Sequence, residues 1–162
     1  MSAARAGVAP RRIPLGELAA HVGSALGTSS WWTIDQDRVD TFADATGDPQ
    51  WIHLDVERAR ESPYGSTIVH GFLVLSLIPA IRAEVFDVTG AAMSLNYGLE
   101  RVRFPAALPV GRRVRARFEL LSLTPLPGGA RALVRSTFDG EGVARPVCVA
   151  EALTQFVAEP AA

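Results

Sequence analysis

Apolar positions follow a helical spacing in the first half of the chain and a spacing of two in the second. Leu15 to Val22 reads as a short helix ended by Gly23 and Gly27, and Trp31 to Ile34 as a strand. After Asp35, a suitable N-cap, Val39, Phe42, Ala43 and Thr46 keep helical spacing, and Gly47 stands where a left-handed C-terminal glycine belongs. Asp55 is placed to cap a second short helix through Arg60, and Ser62-Pro63-Tyr64-Gly65 reads as a turn. From Ile68 to about Glu84 the chain is apolar on every side, the pattern of a helix buried inside a protein. Pro79 has no amide hydrogen to give the Leu75 carbonyl, so a kink or break is predicted there.

From Met93 onward the period is two. Leu95, Tyr97 and Leu99 share one parity, Val102 and Phe104 the other, and the switch beside Gly98 predicts a β-bulge. Val114, Ala116, Phe118 and Leu120 alternate with Arg115, Arg117 and Glu119. Pro125 to Ala130 reads as a turn, and Arg131 to Phe138 and Val147 to Val157 as two further strands. Helices followed by hairpin-linked strands make an α+β pattern, most economically one buried helix against one antiparallel sheet. No repeat or linker divides residues 15 to 157, so a single domain is expected there, preceded by a flexible segment over residues 1 to 14 rich in Ala, Gly, Arg and Pro.

Composition narrows the chemistry. The 162 residues carry a net charge of −1 and are 20% charged, which gives no reason to expect nucleic acid. All sixteen basic residues are arginine, so mechanisms needing a Schiff-base or P-loop lysine are excluded. The lone Cys148 cannot form an internal disulfide, has no CxxC partner for zinc, and alternates with apolar neighbours as a core residue would. The N-terminus lacks the apolar stretch of a signal peptide, and the run from Ile68 to Ile81 is too short for a bilayer; no membrane association and a cytoplasmic location are expected.

One loop carries the parts for proton transfer. Asp48 and His53 flank Pro49 closely enough for the bend to bring carboxylate and imidazole together around a small ligand, a pair suited to acid–base work near neutral pH. Spacing alone also allows Asp48 to be a turn cap and His53 a surface residue. Gly71 heads the apolar helix, where a free backbone N–H could hold an oxygen gaining negative charge, or where a small residue could simply be needed for packing. His70 and His21 read as structural, Ser76 as bonding back to a helix carbonyl, and Trp31, Trp32 and Trp51 as packing. Arg101, Arg103, Arg112, Arg113, Arg115 and Arg117 could meet the phosphates of a carrier or form the solvated face of two strands.

The stretch Ala-Thr-Gly-Asp-Pro-Gln-Trp-Ile-His-Leu-Asp (residues 45–55) resembles the signature of the MaoC-like dehydratases and (R)-specific enoyl-CoA hydratases, in which Gly-Asp precedes x-Asn-Pro-hydrophobic-His. Ile68-Val69-His70-Gly71-Phe72-Leu73 and Asn96 through Pro105 resemble later segments of that family, in the same order. The Asp-x-Gln-Trp-Ile-His form is similar to the nodulation-protein-N-like branch, with Gln50 for the usual Asn and Trp51 for the usual Pro. The resemblance implies a hot-dog fold, a sheet wrapped around a long central helix, assembled as a homodimer. It implies Asp48 and His53 as the catalytic pair, the Gly71 N–H as oxyanion donor, and Gln50, Trp51, His70, Asn96 and Tyr97 as substrate-binding residues. It implies no metal and no cofactor. The expected reaction is reversible hydration of a trans-2-enoyl thioester, on coenzyme A or an acyl carrier protein, to the (R)-3-hydroxyacyl thioester. A thioesterase or a non-catalytic acyl-thioester-binding module on the same fold are the alternatives.

Overall fold

The computed structural model describes residues 9–160. Strand β1 (Arg11–Pro14) leads into a 3-10 helix (Leu15–His21), then β2 (Ser24–Thr28) and the short β3 (Trp32–Thr33). Three helices follow, α1 (Gln36–Thr46), α2 (Trp51–Leu54) and α3 (Val56–Arg60), then α4 (Gly71–Ser76) and α5 (Ile78–Val85). The remaining strands are β4 (Phe86–Thr89), β5 (Ala91–Arg103), β6 (Arg113–Leu126), β7 (Gly129–Gly140) and β8 (Cys148–Ala158).

The main sheet is antiparallel with order β2-β6-β7-β8-β5, and β3 also pairs with β6. In β6 and β7 residues alternate between core and solvent, as the period-two reading requires. Val114, Ala116, Phe118 and Leu120 of β6 and Ala132, Val134 and Phe138 of β7 face inward, where Leu73 and Val74 of α4 and Ile81 and Val85 of α5 join one core. This is the hot-dog arrangement, an antiparallel sheet with helices held against it. The register shift between Asn96 and Gly98 is the bulge the change of parity predicted. The β6–β7 hairpin turns at Pro127 and Gly128, and an added Cβ at Gly129 would lie 2.0 Å from the Phe156 carbonyl, so only glycine fits.

Caps fall where the sequence puts them. Asp35 accepts from the Arg38 N–H, Asp55 from the Arg58 N–H, and Gly47 closes α1 at φ 69°. The strand expected over Trp31 to Ile34 is reduced to Trp32 and Thr33. The buried helix is shorter than expected. Ile68 to His70 run extended, and Ile68 pairs with Pro109, so the helix starts at Gly71. It breaks at Leu77, whose N–H bonds to Val74, before Pro79 opens the first turn of α5; the expected single long helix is two. Nor is it enclosed on every side, because Phe72 is 67% exposed. The N-terminal expectation also needs correction: Arg11–Pro14, assigned to a flexible segment, pairs in parallel with β4, and buried Ile13 anchors it. Residues 1–8 lie outside the described residues.

Candidate active site

The loop carrying Asp48 and His53 is braced from three directions. Gly47 and Asp48 both donate backbone N–H bonds to the Ala43 carbonyl, which turns the chain out of α1. His53 sits on α2, a four-residue helix far too short to persist alone. Its backbone is held from outside: the Gln36 side-chain amide donates to the His53 carbonyl at 2.8 Å and accepts from the Thr67 hydroxyl at 2.8 Å. Ile68 donates its N–H to the Ile52 carbonyl at 3.0 Å, tying this helix to the segment before α4.

His53 is buried, and its Nδ1 lies 2.6 Å from the Ile68 carbonyl oxygen. A carbonyl only accepts, so Nδ1 carries the proton and Nε2 is left with a lone pair. Burial lowers the His53 pKa below the ordinary 6.5; the Ile68 bond opposes this, the neighbouring His70 adds to it, and Asp48 opposes it again. The net result is a neutral imidazole at physiological pH, the form that can take a proton.

A carboxylate oxygen of Asp48 and one ring nitrogen each of His53 and His70 lie within 4.8 Å of one another. The Asp48 side chain is half exposed and accepts no turn-capping bond among the described residues, so the pure cap reading of Asp48 does not describe it. These three ligand atoms lie close enough to approach one metal ion, and His70 Nε2 lies 3.2 Å from the Asp48 backbone carbonyl.

His53 and Gly71 share the wall of a cavity of about 240 Å³ with Tyr64, Val69, Phe104 and Val147. Gly71 is in close contact here: an added Cβ would lie 2.9 Å from the Phe104 ring, so a larger residue requires that ring to shift. Its N–H, in the first turn of α4, has no partner within the helix. Ser76 bonds back to the Leu73 carbonyl, as read from the sequence.

The other expected site residues do not gather at this cavity. Gln50 is exposed at the start of α2, and Trp51 packs under the Arg58 guanidinium at 4.1 Å. Asn96 and Tyr97 lie exposed on the edge strand β5, with Arg131 stacked 3.5 Å from the Tyr97 ring. His70 is buried behind the wall, its ring stacked on His53. The arginine cluster is divided: Arg113 pairs with Glu141, and Arg115 and Arg117 with Asp139, which favours the solvated-face reading. Gln36, Thr67, Tyr64 and Phe104 were not singled out from the sequence. Only a buried Thr in an extended segment could have hinted at a brace, and burial is not visible in one sequence.

Fold and site together define a hot-dog enzyme with a carboxylate and a buried imidazole close together, the imidazole on a cavity wall. The chain belongs to the family described as MaoC like domain, which matches residues 17–125. It is 49% identical over 143 residues to 3-hydroxyacyl-thioester dehydratase Z of Mycobacterium tuberculosis, covering 88% of this chain and 95% of that one. It is 48% identical over 110 residues to nodulation protein N of Rhizobium leguminosarum bv. viciae, covering 67% of this chain and 68% of the relative. The unliganded R-hydratase PhaJ1 of Pseudomonas aeruginosa superposes with a TM-score of 0.72 at 26% identity, over 91% of this chain and 87% of that structure. No helix among the described residues is long and apolar enough to cross a membrane.

Proposed function

We propose that this enzyme catalyses reversible hydration of trans-2-enoyl thioesters to (R)-3-hydroxyacyl thioesters. The observation that carries the reading is a neutral, tautomer-fixed His53 and the Asp48 carboxylate within 4.8 Å of one another, with His53 on the same cavity wall as Gly71. Two groups that share one water by ordinary hydrogen bonds stand roughly 4.6 Å apart, and the 4.8 Å bound allows that separation. In hydration, Asp48 accepts one water hydrogen and orients the oxygen. His53 Nε2 takes the other as oxygen bonds to C3. The C2–C3 π electrons move onto the thioester oxygen, and the Gly71 N–H receives the negative charge. When the enolate collapses, the imidazolium returns its proton to C2 on the same face, which leaves His53 neutral. A donor of this kind is worth about 3–4 kcal/mol in a transition state.

The relative named a 3-hydroxyacyl-thioester dehydratase supports the same substrate class. Coenzyme A and an acyl carrier protein both present that thioester. A cytoplasmic setting fits a chain whose single cysteine is unpaired. Incubation with crotonyl-CoA tests the reaction: loss of enoyl absorbance without free thiol supports hydration, thiol release supports a thioesterase, and neither with crotonyl-CoA nor with a crotonyl carrier protein supports a binding module.

The same reading includes a homodimer. Strand β5 pairs with β8 on one side only, and Met93, Leu95, Tyr97 and Leu99 along it are each 46–56% exposed. A long apolar edge strand is a template for another strand, and exposed Phe72 extends the apolar surface. Pairing β5 with the β5 of a second copy would cover it by two-fold symmetry. Light scattering checks this: a monodisperse, active species at 17.3 kDa rules the dimer out.

A further inference from the structure

His70 occupies a place that a hydrophobic residue would fill with fewer problems. It is 2% exposed, packed between the rings of Phe42 at 5.1 Å and His53 at 3.7 Å. Its Nδ1 is buried without a hydrogen-bond partner among the described residues. An imidazole kept at that cost must be doing something with its other nitrogen. Nε2 lies 3.2 Å from the Asp48 carbonyl and therefore donates to it, and lies 3.9 Å from the Asp48 carboxylate.

That bond matters because Asp48 has little else to hold it. The next residue is Pro49, the carboxylate is half exposed, and the backbone N–H reaches Ala43 at 3.1 Å. The His70 bond completes the restraint on the Asp48 backbone. The same ring lies against the face of His53 at 26° between planes, so it restrains the second member of the pair. His70 also directly precedes Gly71, at the N-cap position of α4, where its side chain makes no capping bond. One buried side chain thus fixes both acid–base groups relative to the head of that helix, while staying off the cavity wall.

We propose that His70 is a positioning residue that sets the separation and orientation of Asp48 and His53 through the Asp48 carbonyl and the His53 ring face, without contacting substrate. The inference rests on the acid–base reading of that pair. Two variants separate its parts. His70→Phe keeps an aromatic slab against His53 and removes the donor. His70→Gln places an amide N–H at the reach of Nε2 and removes the slab. Displacing a catalytic group by about 1 Å costs on the order of 100-fold, so His70→Phe should lower kcat about 10- to 100-fold with KM changed less than about threefold. His70→Gln should recover most of that loss.

Wild-type protein tests the hydrogen bond without turnover. The chain has three histidines, so long-range proton–nitrogen NMR of the imidazoles is readily assigned. His53 is expected with its proton on Nδ1 and His70 with its proton on Nε2. Near-normal kcat in His70→Phe, a His70→Gln loss as large as the Phe loss, or a His70 proton found on Nδ1 would each overturn the proposal. If the wild type fails to hydrate any enoyl thioester, the acid–base reading fails by itself, and the imidazole tautomers still decide whether His70 holds Asp48. If His70→Phe does not fold, His70→Gln and the tautomers decide it.

Discussion

Gly71→Ala separates the packing role of this glycine from the role proposed for its N–H at the reacting oxygen. The added methyl would stand 2.9–3.0 Å from three atoms of the Phe104 ring. Carbon atoms in ordinary contact stand about 3.5–4.0 Å apart, so ring or helix head must yield by roughly 0.5–1 Å. Overpacking of this size costs about 1–3 kcal/mol. Alanine in place of glycine in a helix returns up to about 1 kcal/mol, and Phe104, 40% exposed, has room to swing. Net destabilisation should therefore stay within about 2 kcal/mol, a fall in Tm of under about 8 °C at this chain length. Turnover is more sensitive. A shift of about 1 Å in the N–H proposed to receive the enolate charge should lower kcat about 100-fold. Steady-state kinetics on an enoyl thioester, with melting followed in parallel, measures both. In a Phe104→Ala background the methyl has space, so the kinetic penalty of Gly71→Ala should shrink. A variant that keeps kcat within threefold at unchanged fold would refute the oxyanion role and leave Gly71 as a packing residue only.

Asp48→Asn and His53→Ala should each lower turnover about 100- to 10,000-fold with the fold retained, and the double variant should lose far less than the product of the two; near-normal turnover in either single variant removes that residue from the pair. Because burial, the largest cause, depresses the His53 pKa below 6.5, kcat/KM should stay flat as pH falls to that value and decline only below it. The same shift predicts a stability loss over that range: once pH drops below 6.5 the unfolded chain protonates His53 while the native chain does not, so stability falls until the native pKa is passed. Melting curves of wild type and His53→Gln against pH check the sign, since the variant should lack this contribution. Cys148 is fully buried, and burial pushes its thiol up to about 12, so a thiol reagent should label it only on unfolding; fast labelling of native protein would contradict the core placement.

What could be read from the sequence was local. Asp35 and Gly47 bracket α1 because capping chemistry is written into adjacent residues, and the hairpins of β6, β7 and β8 follow from alternation and turn residues. The Asp48–His53 pairing was legible as a motif, although spacing alone could not separate it from a capped turn. The parallel β1–β4 pair left no trace, because partners some 75 residues apart have no shared local period. Strand β2, five residues with Gly27 next to its end, has too weak an alternation to stand out. Asn96 and Tyr97 fell in a segment resembling the family, yet β5 carries them along an exposed edge.

The site shows why single residues mislead. His70 in an apolar run reads as a lone polar core residue, and its stacking on His53 and bond to Asp48 exist only after the chain returns across them. Helix α2 would not form by itself, so the position of His53 depends on Gln36, Thr67 and Ile68, each outside that helix. Catalysis by a carboxylate and an imidazole needs their separation held to within a fraction of an ångström, and a four-residue helix beside a proline-containing turn has no stiffness of its own to supply this. That stiffness comes from the segment 67–71, which braces His53 through Thr67 and Ile68, restrains Asp48 through His70, and presents the Gly71 N–H. Its residues are buried from Thr67 to His70, so the part of the chain that controls the geometry is also a part that cannot move without opening the core.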